Sequence, residues 1–251
     1  METRKSIDTT LNHHFIDILF DPRKNTRGDI RKITRLIPSL ITHEKNDLLM
    51  KPITLIEVEE EVFQMKEGTS LGPYVFRLNL FHHFWDLIKM EVWTIVEDSR
   101  VSRRIFLALN ATFITLIPKS EGADSLDKFR PISLCNVIYK ITTKVIVNRL
   151  KPILLGLISL EQSRFVEGRQ ITDGIILVHK MLHSINVKKL LGMMVKLDIA
   201  KAYDKIIWHF IRSMLEDFGF RVEWVNWIMN LVSYSFFYIL VNGVPSRIAK
   251  P

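Results

Sequence analysis

The stretch VKLDIAKAYDKIIW, residues 195–208, sets two carboxylates and an aromatic ring close together. An apolar run ends on Asp198, Tyr203 follows five residues later, and Asp204 stands beside it. An acid held at the end of a strand is placed to bind a divalent cation. A buried strand followed by a capped helix writes the same letters, because aspartate is also a common helix cap. The spacing alone leaves both readings open. His179 and His183 stand four apart on an expected helix, a spacing that can bind zinc. Lys180 occupies the place where a zinc protease has its glutamate, and no third ligand is evident, so no zinc site is expected there.

The 251 residues are 47% hydrophobic and 25% charged, enough apolar material for a real core. A single cysteine, Cys135, excludes a disulfide framework and fits a reducing compartment. The first ten residues, METRKSIDTT, have no apolar stretch, so no secretory signal is expected. The longest apolar run, Ile105–Ile117, contains Asn110 and is too short to span a membrane. Lysine and arginine outnumber aspartate and glutamate by 35 to 27, giving a net charge of +8, a balance that suits a polyanionic partner such as nucleic acid.

Periodicity supplies the elements. Residues 1–50 predict short helices with a solvated basic face through Arg23, Lys24, Arg27, Arg31, Lys32 and Arg35, broken at Pro38. A helix starts after Thr54, which pairs with Glu57 in a capping box, with Val58, Val62, Phe63 and Met65 as its apolar stripe. Gly68, Gly72 and Pro73 end that segment, and a second amphipathic helix places Phe81, Trp85, Ile88 and Trp93 on one face. NATFITLIPK alternates and predicts a strand to Pro118; RPISL is a short extended segment. Helical spacing returns in NVIYKITTKVIVNRLKPILL and in TDGIILVHKMLHSI, the latter with Thr172 or Asp173 as cap. LLGMMVKLDI predicts a strand, two helices follow it, and Asn242-Gly243 marks a hairpin turn. Trp224 and Trp227 could stack bases, yet their helical spacing with Ile228 and Leu231 favours core packing.

FITLIPK, FRPISLCNVIYKI, NRLKPIL, EQSRFVEGRQITD and KLDIAKAYDKIIW occur in this order. Together they closely resemble the reverse transcriptase of non-LTR retrotransposons, the long interspersed elements, especially the plant type. The likeness is weak from Phe15 and strong from Thr112 to Trp208. It implies an α+β right-hand polymerase fold: an N-terminal helical extension over residues 1–68, fingers over 69–190 and a partial palm over 191–251. It also implies roles. Asp198 matches the first catalytic aspartate, which with the backbone carbonyl of Ile199 would hold Mg²⁺. Tyr203 matches the ring that crowds out a ribose 2′-hydroxyl. Lys119 and Arg130 match the fingers cations that grip the incoming triphosphate, arginine as a bidentate fork and lysine as a point charge. Gln162, Phe165, Gly168 and Arg169 match a loop that shapes the fingers and the template path.

The implied partners are an RNA template, a DNA primer and deoxynucleoside triphosphates, with no membrane, in an intracellular and nuclear setting. Lys119, Arg130, Lys140, Lys144 and Arg169 are the cations expected to meet nucleic acid. The sequence departs from the family where a Pro-Asp-Gly turn usually stands, reading GTSLGPYVF, and at Gly174 in place of the usual Asn. The family continues into a hairpin with two adjacent aspartates, whereas this sequence has no Asp-Asp pair. Two-metal transfer needs more than one acid, so this chain alone is expected to be an inactive fragment of an RNA-directed DNA polymerase. The rival expectations are a non-catalytic nucleic-acid-binding remnant and a splicing factor like the group II intron maturases.

Overall fold

The computed structural model describes residues 9–11, 13–14, 27–66, 72–73, 76–159, 162, 166, 168–193 and 206–247. Two units are distinguished, one of Met1–Ile146 with Asp204–Pro251 and the other of Val147–Tyr203.

Local chemistry accounts for the helices of the first unit. Helices α1 (Arg27–Thr34) and α2 (His43–Met50) precede α3 (Leu55–Gln64). Thr54 caps α3 as expected: the Glu57 amide donates to its hydroxyl at 3.2 Å, and the Thr54 amide donates to the Glu57 carboxylate at 3.1 Å. Val58 and Val62 are buried, but Phe63 is exposed and Met65 half-buried, so the apolar stripe is narrower than the sequence suggests. Phe63 stacks instead on His82, with ring centroids 5.0 Å apart. The long amphipathic segment is two helices, α4 (Leu78–His83) and α5 (Trp85–Ser102), meeting at Phe84. Indole donors tie α5 to α3 and the residues before it: Trp85 Nε1 donates to Glu59 at 2.7 Å and Trp93 Nε1 to the Ile53 carbonyl at 2.7 Å.

Strands β1 (Ala111–Pro118), β2 (Phe129–Cys135), β3 (Phe236–Val241) and β4 (Val244–Arg247) form a mixed sheet in the order β2-β1-β3-β4. β1 runs antiparallel to β2 with Thr112 opposite Cys135, and parallel to β3 with Ala111 opposite Phe236. Ile114 and Ile239 bury one face with Leu11. The β3–β4 turn uses Asn242 (φ 52°) and Gly243 (φ 77°), both left-handed, as a two-residue hairpin requires.

Helices α8 (Trp208–Asp217) and α9 (Val222–Ser233) complete the unit. The turn between them is held by the N-terminal segment: Leu40 and Ile41 amides donate to the Phe218 carbonyl, and Asn46 donates to the Gly219 carbonyl at 2.8 Å while accepting from the Arg221 amide at 2.8 Å. Gly219 is left-handed (φ 93°), and a Cβ there would also run into Ser39. Trp224 and Trp227 are buried and packed edge to face at 5.4 Å, so they serve the core.

Helix α6 (Val137–Leu157) begins in the first unit and carries Pro152, which has no N–H to give the Asn148 carbonyl. Helix α7 (Ile171–Val187) belongs to the second unit. Its cap is Gln170, two positions before Thr172 and three before Asp173, the caps expected; Asp173 lies inside the helix and accepts from the Gln170 amide at 2.9 Å. Residues 190–193 are not in a strand, and the rest of the expected LLGMMVKLDI strand lies outside the described residues. No helix among the described residues is long and apolar enough to cross a membrane.

Tyr139 on α6 gives a pH prediction. Its hydroxyl donates to the Leu231 carbonyl at 3.2 Å, and burial, aided by Cys135 nearby, pushes its pKa up to about 12. The unfolded chain would titrate near ~10, so between about pH 10 and 12 the folded state binds the extra proton and stability falls as pH rises. The contribution, on the order of 2 kcal/mol, is complete below pH ~10 and gone above pH ~12. Urea midpoints across that range should fall more steeply for the native chain than for Tyr139→Phe.

Candidate active site

The β1–β2 hairpin places two of the expected triphosphate-binding cations together. Ile117 stands opposite Arg130, and the Lys119 amide extends the pairing by donating to the Lys128 carbonyl at 2.8 Å. Side chains alternate along a strand, so Lys119, two residues beyond Ile117, shares a face with Arg130. The two are diagonal neighbours, about 7–8 Å apart at their bases. Arg130 is exposed, and its guanidinium makes no hydrogen bond or ion pair among the described residues. Lys119 is also exposed, but its ammonium donates to the Asp127 carbonyl at 2.6 Å, which leaves two of its three donors available. Lys128 on the same face pairs with Asp124 at 2.7 Å.

Two other cations are committed within the protein. Lys144 lies 3.2 Å from the buried carboxylate of Glu61. The Arg169 guanidinium donates to the carbonyls of Ser159, Gln162 (2.7 Å) and Ile158 (3.0 Å). A planar fork suits this task, because the carbonyls that follow the end of α6 have no helical partners. Gly168 makes the approach possible: its φ is 77°, and no neighbouring atom lies near enough to forbid a side chain, so backbone conformation is what calls for glycine. Within the described part of the Gln162–Arg169 loop, arginine and glycine therefore close the loop upon itself.

Asp198, Ile199, Tyr203 and Phe165 lie outside the described residues. Among the described residues no group of three or more histidines, cysteines or acids could hold a metal ion, so these residues alone do not fit Mg²⁺. His179 and His183 are both exposed on α7.

Sequence reasoning gave Asn136 no role. It is buried at the start of α6, and its amide donates to the carbonyls of Leu109 (3.0 Å) and Ala111 (3.2 Å). The residue thereby ties the end of β2 to the beginning of β1 and fixes the hairpin that carries Lys119 and Arg130. An asparagine directly after a strand and before a helix was the available signal.

A family model described as reverse transcriptase (RNA-dependent DNA polymerase) matches residues 117–247. The Transposon TX1 uncharacterized 149 kDa protein of Xenopus laevis is 25% identical over 217 residues, covering 86% of this chain. The chain spans 16% of the length of that relative.

Proposed function

This chain belongs to the reverse transcriptase (RNA-dependent DNA polymerase) family, and from that premise we propose that it supplies the fingers and the first part of the palm of an RNA-directed DNA polymerase of a non-LTR retrotransposon. The observation that carries the reading is the pairing of Arg130 and Lys119 on one face of the β1–β2 hairpin. In this proposal Arg130 holds two oxygens of the incoming triphosphate in its fork, and Lys119 neutralises a third. Tyr203 would exclude a ribose hydroxyl. Asp198, with the Ile199 carbonyl, would hold the divalent metal that the family implies, and the metal would supply charge stabilisation during transfer. The template would be RNA and the primer DNA.

Arg130→Ala should weaken binding of a deoxynucleoside triphosphate at least about tenfold, since a charge-assisted hydrogen bond contributes roughly 1.5–3 kcal/mol. Lys119→Ala should have a smaller effect, because part of that ammonium serves the hairpin turn. Arg130→Lys should fall between, keeping the charge but losing the fork. Equal affinity in all four proteins would remove the hairpin from the site. Magnesium-dependent extension of a DNA primer on RNA, in a longer chain carrying the family's paired aspartates, separates polymerase from mere nucleic-acid binder. Synthesis that vanishes in Asp198→Ala is the expected result, and binding without synthesis would leave only the second reading.

A further inference from the structure

The last turn of α5 and the segment leading into β1 form a groove that the polymerase roles above do not use. One cavity, about 570 Å³, is lined by residues including Ile95, Asp98, Val101, Arg104 and Phe106. A second, about 320 Å³, is lined by residues including Arg104, Asn110, Asn230 and Tyr234. Arg104, Ile105 and Leu107 line both, so the two cavities share a wall. The floor is fixed by polar contacts. Asn230 donates to the Arg103 carbonyl at 2.9 Å, holding that residue in its left-handed conformation (φ 59°). Asn110 donates to the Leu231 carbonyl at 3.1 Å and accepts from Ser235 at 2.9 Å.

Above this floor the rings are open. Phe106 is 66% exposed and Tyr234 60% exposed. Among the described residues neither the Arg104 guanidinium nor the Tyr234 hydroxyl has a hydrogen-bond partner. We propose that this groove binds a single-stranded stretch of nucleic acid, with bases against Phe106 and Tyr234 and a backbone phosphate on Arg104. Exposed rings on a fixed scaffold beside an arginine are what sequence-tolerant base stacking requires. The +8 chain favours a polyanion, and Asp98 is the only acid among the described residues lining the two cavities. A wholly apolar protein segment would cover the rings but leave Arg104 without a counter-charge.

The inference rests on the reading that this chain handles nucleic acid, and the two can fail separately. The groove and Lys119 flank the two ends of β1, about 30 Å apart at ~3.3 Å per residue, so substitutions at the two places should act additively. The probes are a fluorescent 12-nucleotide oligouridylate and an abasic oligomer with the same number of phosphates. Phe106→Ala and Tyr234→Ala should each weaken oligouridylate binding at least about fivefold, the lower end for loss of one base–aromatic stack. Phe106→Trp should preserve binding, and the abasic oligomer should bind Phe106→Ala as it binds the native chain. Arg104→Gln should lower the slope of log affinity against log salt by about 0.7, as loss of one phosphate contact on a single strand predicts. Phe106 is exposed, so its replacement leaves the core intact. Oligouridylate affinity unchanged in Phe106→Ala would overturn the groove assignment. It would do so equally if that variant instead abolished self-association of the native chain, which would make the groove a protein interface. Failure of the native chain to bind either oligomer at low salt would overturn both readings.

Discussion

Trp227→Ala should destabilise the protein by about 3–5 kcal/mol, the usual cost of deleting a buried aromatic side chain and leaving its cavity. Trp227 is buried on α9 against Trp224, and its indole nitrogen donates to Ser99 on α5 at 2.9 Å. Truncation would therefore empty the space and also strand a buried hydroxyl. Against a typical total of ~5–15 kcal/mol, little stability need remain. For a chain of this size the melting temperature should drop by roughly 10 °C or more. Trp227→Phe should lose less, because a ring still fills most of the volume and only the hydrogen bond disappears. An unchanged melting temperature in the alanine variant would show that α9 does not anchor the core.

Gly72→Ala should be nearly as damaging, for the opposite reason. A Cβ on Gly72 would sit 2.5 Å from the Asn136 amide nitrogen and 2.6 and 2.7 Å from the carbonyl carbon and oxygen of Cys135. These are backbone atoms at the junction of β2 and α6, and they cannot rotate away as a flexible side chain could. Relief requires moving the strand end, which would also disturb the Asn136 bonds to Leu109 and Ala111. The expected loss is about 3 kcal/mol, toward the high end for overpacking. Hydrogen exchange should show the loss of protection concentrated in β1 and β2. A melting curve superimposable on that of the native chain would mean that Gly72 has more room than its neighbours suggest.

The sequence was most legible where the determinant is local. The Thr54–Glu57 capping box, the strand ending at Pro118 and the Asn242-Gly243 turn each depend on a few adjacent residues, and each was found where expected. The core role of Trp224 and Trp227 followed from helical spacing alone. Periodicity did not reveal the interruption at Phe84, because the apolar pattern runs on from α4 into α5 without a glycine or proline. Nor could it reveal that Arg169 would satisfy carbonyls beyond the end of α6, or that Lys144 would meet Glu61, since both are tertiary encounters. The parallel pairing of β1 with β3 was equally hidden, because no local pattern encodes a partner so remote in the chain.

That pairing has a consequence for biosynthesis. Ala111 and Phe236 are 125 residues apart in the chain. A β-hairpin such as β1–β2 can close within about 1–10 μs, but β3 does not yet exist when the ribosome releases it. At about 5–20 residues per second, roughly 6–25 s pass before the parallel strand is made. During that interval the β3 side of β1, Ala111–Thr115, presents unpaired amides and carbonyls, a template for any other extended chain. Yield in a cell should accordingly respond to translation speed and to the supply of chaperones that shield nascent strands, even where the finished protein is stable.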